Sequence, residues 1–295
     1  MTERFRNFVA IDWSGAAGER HWGIAVALAE ADGGAPSVVW RGKPWSRQDI
    51  LDWLLNNLPP DTLVGLDLGI SLPFVDAGAF LPGWDQSPQN ARELWRKVDE
   101  MSAADPHLAV GSFVEHCDVS HYFRLHGGRE GRHFHLSSAD HRRGRFRVTE
   151  EEQARRKKCR PYSNFNLVGA AQVGKSSLSG MRVLHRLQRQ LPVWPIDDLP
   201  PRGSAIVEIY TTIAAIDAGR SAAASKMRTF EELNHALTEL GSPSVAGAGP
   251  IDDHSADALL TAAWLRSRAA TPALWQPERM TDEVARTEGW TFGVA

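Results

Sequence analysis

Six side chains in this sequence are of types, and at spacings, that could do chemistry: Asp12, Asp67, Glu208, Asp253, His254 and Asp257. Asp12, Asp67 and Glu208 each end or interrupt an apolar run, Phe8-Val9-Ala10-Ile11, Leu63-Val64-Gly65-Leu66 and Ala205-Ile206-Val207. A carboxylate within such a run is costly unless something pairs with it. The other three belong to Asp252-Asp253-His254-Ser255-Ala256-Asp257, ahead of a long apolar stretch. Their spacing predicts a helix start with His254 and Asp257 on one face. Carboxylates brought together repel unless a cation sits among them, and hard cations such as Mg²⁺ or Mn²⁺ take oxygen ligands. Taken singly, each acid has a plainer role. Asp12 can cap the Ser14-Gly15 turn, and Asp253 and Asp257 can complement a helix dipole.

The elements that must position these groups follow from periodicity. Strands are predicted at Asn7 to Trp13, His21 to Ala29 and Ser37 to Arg41, joined through Gly-rich turns and so antiparallel. Ser46 is a predicted N-cap for a helix to about Asn57, with Ile50, Leu51, Leu54 and Leu55 at helical spacing, stopped by Pro59-Pro60. Thr62 to Ile70 is a fourth strand, parallel to the first across that helical connection. Residues 84–166 read as an insertion, with one helix from Ser87 to Met101 and then a segment rich in His, Arg and Gly without clear period. Further helices are predicted from Lys175 to Gln190, Thr229 to Leu240 and Asp253 to Ser267, and a fifth strand from Ser204 to Tyr210.

This order, βββαβαβα with an insertion, is the ribonuclease H-like pattern. It predicts one α/β domain over residues 1–295, with a mixed five-stranded sheet in the order 3-2-1-4-5 flanked by helices and a large basic insertion after the fourth strand. Asp12, Asp67 and Asp257 then converge on one side, and Glu208 on the neighbouring strand can join them.

Composition sets the class. With 295 residues and 42% hydrophobic content, a full core can be buried. No apolar run approaches the roughly 20 residues of a membrane span, and no apolar segment follows the N-terminus, so a cytoplasmic location is expected. Cys117 and Cys159 have no metal or disulfide spacing. The net charge of −3 hides a segregation. Residues 121–160 hold twelve Lys or Arg against five acids. Arg142, Arg143, Arg145, Arg147, Arg155, Arg156, Lys157, Lys158 and, further on, Lys175 are therefore candidate nucleic-acid contacts, with Tyr122, Phe123, Phe134 and Phe146 available to stack on bases.

The runs FVAIDWSGA, GLDLGISLPF, VGAAQVGKSSLSGM, VEIY and DDHSADALLTAAWL, in that order across nearly the whole chain, resemble the domain of unknown function 429 family. That resemblance implies a nuclease with a ribonuclease H-like fold. His254 and Asp257 also resemble the His-x-x-Asp pair of Holliday-junction resolvases of that fold. Tyr210-Thr211 departs from the Tyr-Pro of many relatives. Phosphodiester hydrolysis in this fold uses two Mg²⁺ about 4 Å apart. On that scheme Asp12 bridges the metals, Asp67 and Glu208 hold one each, Asp257 completes the shell, His254 moves a proton or orients water, and Asp253 is a reserve ligand. The alternative in a different class is a noncatalytic or regulatory nucleic-acid-binding protein.

Two phosphate motifs compete. Gly169 to Ser176 fits G-x-x-x-x-G-K-[ST], which requires a buried strand before it; Asn164 to Val168 is a polar candidate for that strand. Asp67-Leu68-Gly69-Ile70-Ser71 fits the D-x-G-x-[ST] loop of actin-like phosphotransferases, which duplicate their fold in a longer chain.

Overall fold

The apolar runs pair as strands in a computed structural model that describes residues 4–135, 143–156, 159–169 and 173–295. In chain order the strands are β1 (Asn7–Asp12), β2 (Arg20–His21), β3 (Ala25–Glu30), β4 (Ser37–Val38), β5 (Trp45–Ser46), β6 (Thr62–Asp67), β7 (Val193–Trp194) and β8 (Ala205–Glu208). The helices are α1 (Arg47–Asn56), α2 (Ala91–Met101), α3 (Gly111–Val114), α4 (Val148–Arg156), α5 (Val173–Arg186), α6 (Thr211–Asp217), α7 (Phe230–Glu239), α8 (Asp253–Arg268) and α9 (Asp282–Thr287). Six strands form a mixed sheet in the order β4-β3-β1-β6-β8-β7, and β2 pairs with β5 apart from it. Strands β1, β6, β8 and β7 run parallel, while β3 is antiparallel to β1 and to β4.

Two expectations are corrected here. The sheet has a sixth strand, β7, too short at two residues to show a period. The expected single strand from His21 to Ala29 is two strands in different sheets, divided where Ile24 N–H turns back to the His21 carbonyl.

Alternation along the strands divides the core by face. Val9, Ile11, Val64, Leu66 and Ile206 face α1, α2 and α5. Phe8, Ala10, Ala27, Leu63, Ala205 and Val207 face α6, α7 and α8. The second face is lined largely with alanine, and Gly65 leaves no room for a β-carbon, which would stand 2.9 Å from Leu265 Cδ1. Small residues on both sides let α8, buried from Ala256 to Leu265, lie close across β1 and β3. Its Asp252 N-cap accepts the Ser255 N–H at 2.8 Å.

Residues 84–166 are less separate than an insertion implies. Leu94, Trp95, Val98, Phe113, Phe123, Phe134 and Phe165 are buried in the same cluster as Val9 and Leu66. Tyr122, Phe123, Phe134 and Phe146, expected to offer stacking surfaces, are buried as core. Among the described residues no helix is long and apolar enough to cross a membrane.

Candidate functional site

Asp12 and Asp67 are the last residues of β1 and β6, and they are register partners in the parallel ladder. Register partners share a face, so both carboxylates emerge side by side at the carboxyl ends of the central strands, toward α8. The close approach of α8 brings in the third acid, Asp257, and one turn earlier His254. Asp12 and Asp257 are only 6% and 4% exposed. His254 Nδ1 lies 3.0 Å from Asp12 Oδ2, and Thr211 Oγ1 donates to Asp67 Oδ2 at 3.3 Å. Over these strand ends opens a cleft of about 490 Å³, lined among others by Trp13, Gly23, Asp67, Tyr162, Tyr210 and His254. Open parallel sheets take ligands at this end.

The electrostatics are those of crowded negative charge. Burial and the neighbouring Asp12 carboxylate push Asp67 up to about 8. Burial likewise raises Asp257 to about 6, against the pull of Lys226. The hydrogen bond to Asp12 raises His254, outweighing its partial burial. Lys226, to which the sequence assigns no role, pairs through Nζ with Asp257 Oδ2. Partial burial lowers its pKa, but Asp257, with Asp12 and Asp67, carries it above the ordinary ammonium value. The signal that was available is slight: one lysine in a Gly-, Ser- and Ala-rich segment.

Glu208 does not join this group. Its register partner is Leu66, not Asp67, so its side chain leaves the opposite face of the sheet. There Arg147 grips it with two hydrogen bonds, at 2.6 Å to Oε1 and 2.7 Å to Oε2. Ile70 N–H donates to Oε2 at 2.8 Å and Thr291 Oγ1 to Oε1. The expectation of Glu208 as a metal ligand is corrected: its oxygens are already committed to protein donors. Arg147 also pairs with Glu150, which burial raises to about 7 even against that cation. Asp253 is partly exposed and stands 3.9 Å from His254 Nε2, on the outer side of the imidazole.

Of the expected nucleic-acid contacts, Arg145 and Arg147 are each 1% exposed. Arg145 Nε donates to Asp76 at 2.8 Å and its Nη1 to the Phe80 carbonyl at 2.6 Å, fastening the loop after β6. Both are corrected from contacts to buried anchors. Arg155 and Arg156 are exposed and pair with the buried Glu152. Arg143 is exposed, Lys175 is half-buried, and Arg142, Lys157 and Lys158 lie outside the described residues.

The competing phosphate motifs lose their structural context. In Gly169 to Ser176, residues 170–172 lie outside the described residues. The preceding segment forms only an isolated bridge between Asn166 and Arg124 where a strand is needed. In the Asp67 to Ser71 loop the amides are spent within the protein: Leu68 N–H on the Leu66 carbonyl, Gly69 N–H on Ser177 Oγ and Ile70 N–H on Glu208.

The turn after Asp12 is held from two sides. Arg47, 2% exposed, donates to the Ser14 and Ala16 carbonyls and to His107 O. Gly15 lies against the first turn of α5, where a β-carbon would meet Ser176 N at 2.6 Å. Trp13 turns to the far face and donates Nε1 to Ser179 Oγ.

A metal can be tested against these donors. Asp12, Asp67 and Asp257 supply the hard oxygens that Mg²⁺ or Mn²⁺ takes, and burial together with the neighbouring carboxylates holds Asp67 and Asp257 above the usual carboxylate range. By donor type they suit one divalent cation, and to share it the three carboxylates would have to draw closer together; with Glu208 on the other face, they do not make up the donor set of two. Their ligand atoms do not all lie within 4.8 Å of one another. Among the described residues that spacing is met by His116, Cys117 and Asp118, on the turn after α3. Three consecutive residues have no spacing signature, so the sequence gives no sign of that group. Comparison of the chain with protein-family models, with curated proteins and with solved structures finds no match.

Proposed function

We propose that this chain is a divalent-cation-dependent phosphodiester hydrolase, a nuclease on a ribonuclease H-like sheet. The observation that carries this reading is the in-register pair Asp12 and Asp67, with Asp257 of α8 adding a third carboxylate and with Asp67 and His254 lining the cleft over the strand ends. Asp12, Asp67 and Asp257 would hold the cation, which when bound supplies positive charge to a phosphate and lowers the pKa of bound water. His254, hydrogen-bonded to Asp12 and 40% exposed at its side chain, can take a proton from water and return it to solvent. Asp12 fixes the orientation of that imidazole through Nδ1.

A nucleic-acid substrate is supported by aromatic surface beside the cleft. Gly23 lines the cleft, and its neighbour Trp22, 76% exposed, stacks with Trp40, 58% exposed. With Tyr162, also exposed, they offer planar faces to unpaired bases. Positive charge for the backbone comes from Arg129, Arg132, Arg143 and Arg160, all exposed.

The test is Mg²⁺- or Mn²⁺-dependent cleavage of single-stranded and duplex DNA and RNA. Asp12→Asn is expected to lower the rate at least about a hundredfold, the scale on which removal of a group acting on transition-state charge is felt. Cleavage by that variant at the unmodified rate overturns the assignment. Salt-sensitive binding without cleavage by the unmodified protein identifies the noncatalytic alternative.

A further inference from the structure

We propose that Lys226 is a built-in counter-ion of the carboxylate group, so that the site takes a single divalent cation and an ammonium stands in place of a second. This rests on the cation-dependent reading of the same cluster.

The placement of Lys226 is enforced by its surroundings. Met227, next in the chain, is fully buried. Arg220 donates Nη2 to the Lys226 carbonyl at 3.0 Å and Nε to the Ala224 carbonyl at 2.9 Å. Ile251 N–H holds the Arg228 carbonyl at 3.0 Å, just ahead of α8. The backbone is thus fixed on both sides of Lys226. Its side chain is 49% exposed, yet its Nζ is paired with Asp257, whose side chain is 4% exposed. A lysine of the open surface has no such tether.

Charge counting gives the stoichiometry. Around a bound cation all three carboxyls would be ionised; they face one ammonium, which leaves two negative charges, the demand of one divalent ion. A second divalent ion would carry the cluster to an excess of two positive charges. The fourth acid that would offset this, Glu208, is on the other face of the sheet, bound to Arg147. An ammonium has three donors and no acceptor. Lys226 can therefore keep Asp257 with two donors to spare.

The experiment counts bound Mn²⁺ on the full chain by electron paramagnetic resonance and calorimetry, for the unmodified protein, Lys226→Met, Lys226→Arg and Asp12→Asn. One ion per unmodified chain is expected. Lys226→Met should bind at least about tenfold more tightly, or take a second ion, because a unit charge a few Å from the ion has been removed. Lys226→Arg keeps the charge and should keep the count of one. Two ions on the unmodified protein, or a Lys226→Met variant with unchanged count and affinity, overturns the role of Lys226 while leaving the cation site standing. Mn²⁺ binding that Asp12→Asn does not weaken, or no binding by the unmodified protein and by Lys226→Met alike, overturns the cation site and this inference with it.

Discussion

Glu208 shows how a single residue can carry the sequence signature of a ligand and do structural work. An acid within Ala205-Ile206-Val207 must be paired, and nothing in the sequence distinguishes a metal from a guanidinium as the partner. Arg147 is the partner, itself shared with Glu150, and together they form a buried ionic group that ties β8 to the start of α4. Removing one member of a buried pair leaves the other uncompensated. Glu208→Gln is therefore expected to cost roughly 3 kcal/mol in urea unfolding while leaving Mn²⁺ affinity unchanged. Lost Mn²⁺ binding at unchanged stability would return Glu208 to the metal. Asp12, Asp67 and Asp257 differ from Glu208 in their surroundings: they stand on the α8 side of the strand ends, and their partners are His254, Thr211 and Lys226 in place of an arginine.

At the level of elements, the segments with strong periods were readable to within about four residues: α2 starts at Ala91 against an expected Ser87, and α5 spans Val173–Arg186 against an expected Lys175 to Gln190. Ser46 caps α1 through a reciprocal capping box with Asp49, Thr229 caps α7 and Asp252 caps α8. Two-residue strands and the run of turns between α2 and α4 were not, because pairings that short are set by tertiary contact and not by local pattern. The same blindness applied to the basic segment. Its arginine count was plain, but Arg145 and Arg147 became anchors, since a long cationic side chain is equally able to satisfy buried carbonyls and carboxylates. The junction of β1 with α5 gives a test at this level. Gly15→Ala sets a β-carbon against backbone of Lys175 and Ser176, and overpacking of this kind costs about 1–3 kcal/mol. Thermal unfolding should record that loss, and Mn²⁺ titration should show weaker binding because the turn carrying Asp12 has moved. An unchanged melting curve would mean that the turn yields freely.

For the whole molecule, the cleft charges link stability to pH. A carboxyl with its folded value above the unfolded one, near ~3.9, binds protons more tightly when folded, so its contribution is full below that value and is lost as pH rises through the folded value. The window closes at about 8 for Asp67 and about 6 for Asp257. His254, raised by Asp12, acts in the same direction, its contribution being full below ~6.5 and lost above. In cation-free buffer the unfolding midpoint should fall across this range, and Asp67→Asn should flatten the fall. Added Mg²⁺ should raise the midpoint more at pH about 8 than at about 5, where protons hold the carboxyls. Scanning calorimetry with chelator and with Mg²⁺ reads both effects, and equal slopes for the two proteins would contradict the argument. The ladder between β1 and β6 also limits what chain-length changes the molecule tolerates. Side chains alternate along a strand, so deleting one residue from β6 ahead of Asp67 would turn that carboxylate to the Arg147 side of the sheet. Deleting two would restore the face but draw it back by about 6.6 Å, out of line with Asp12. Insertions and deletions are thus confined to the loops, and the spacing of each strand from its acid is fixed.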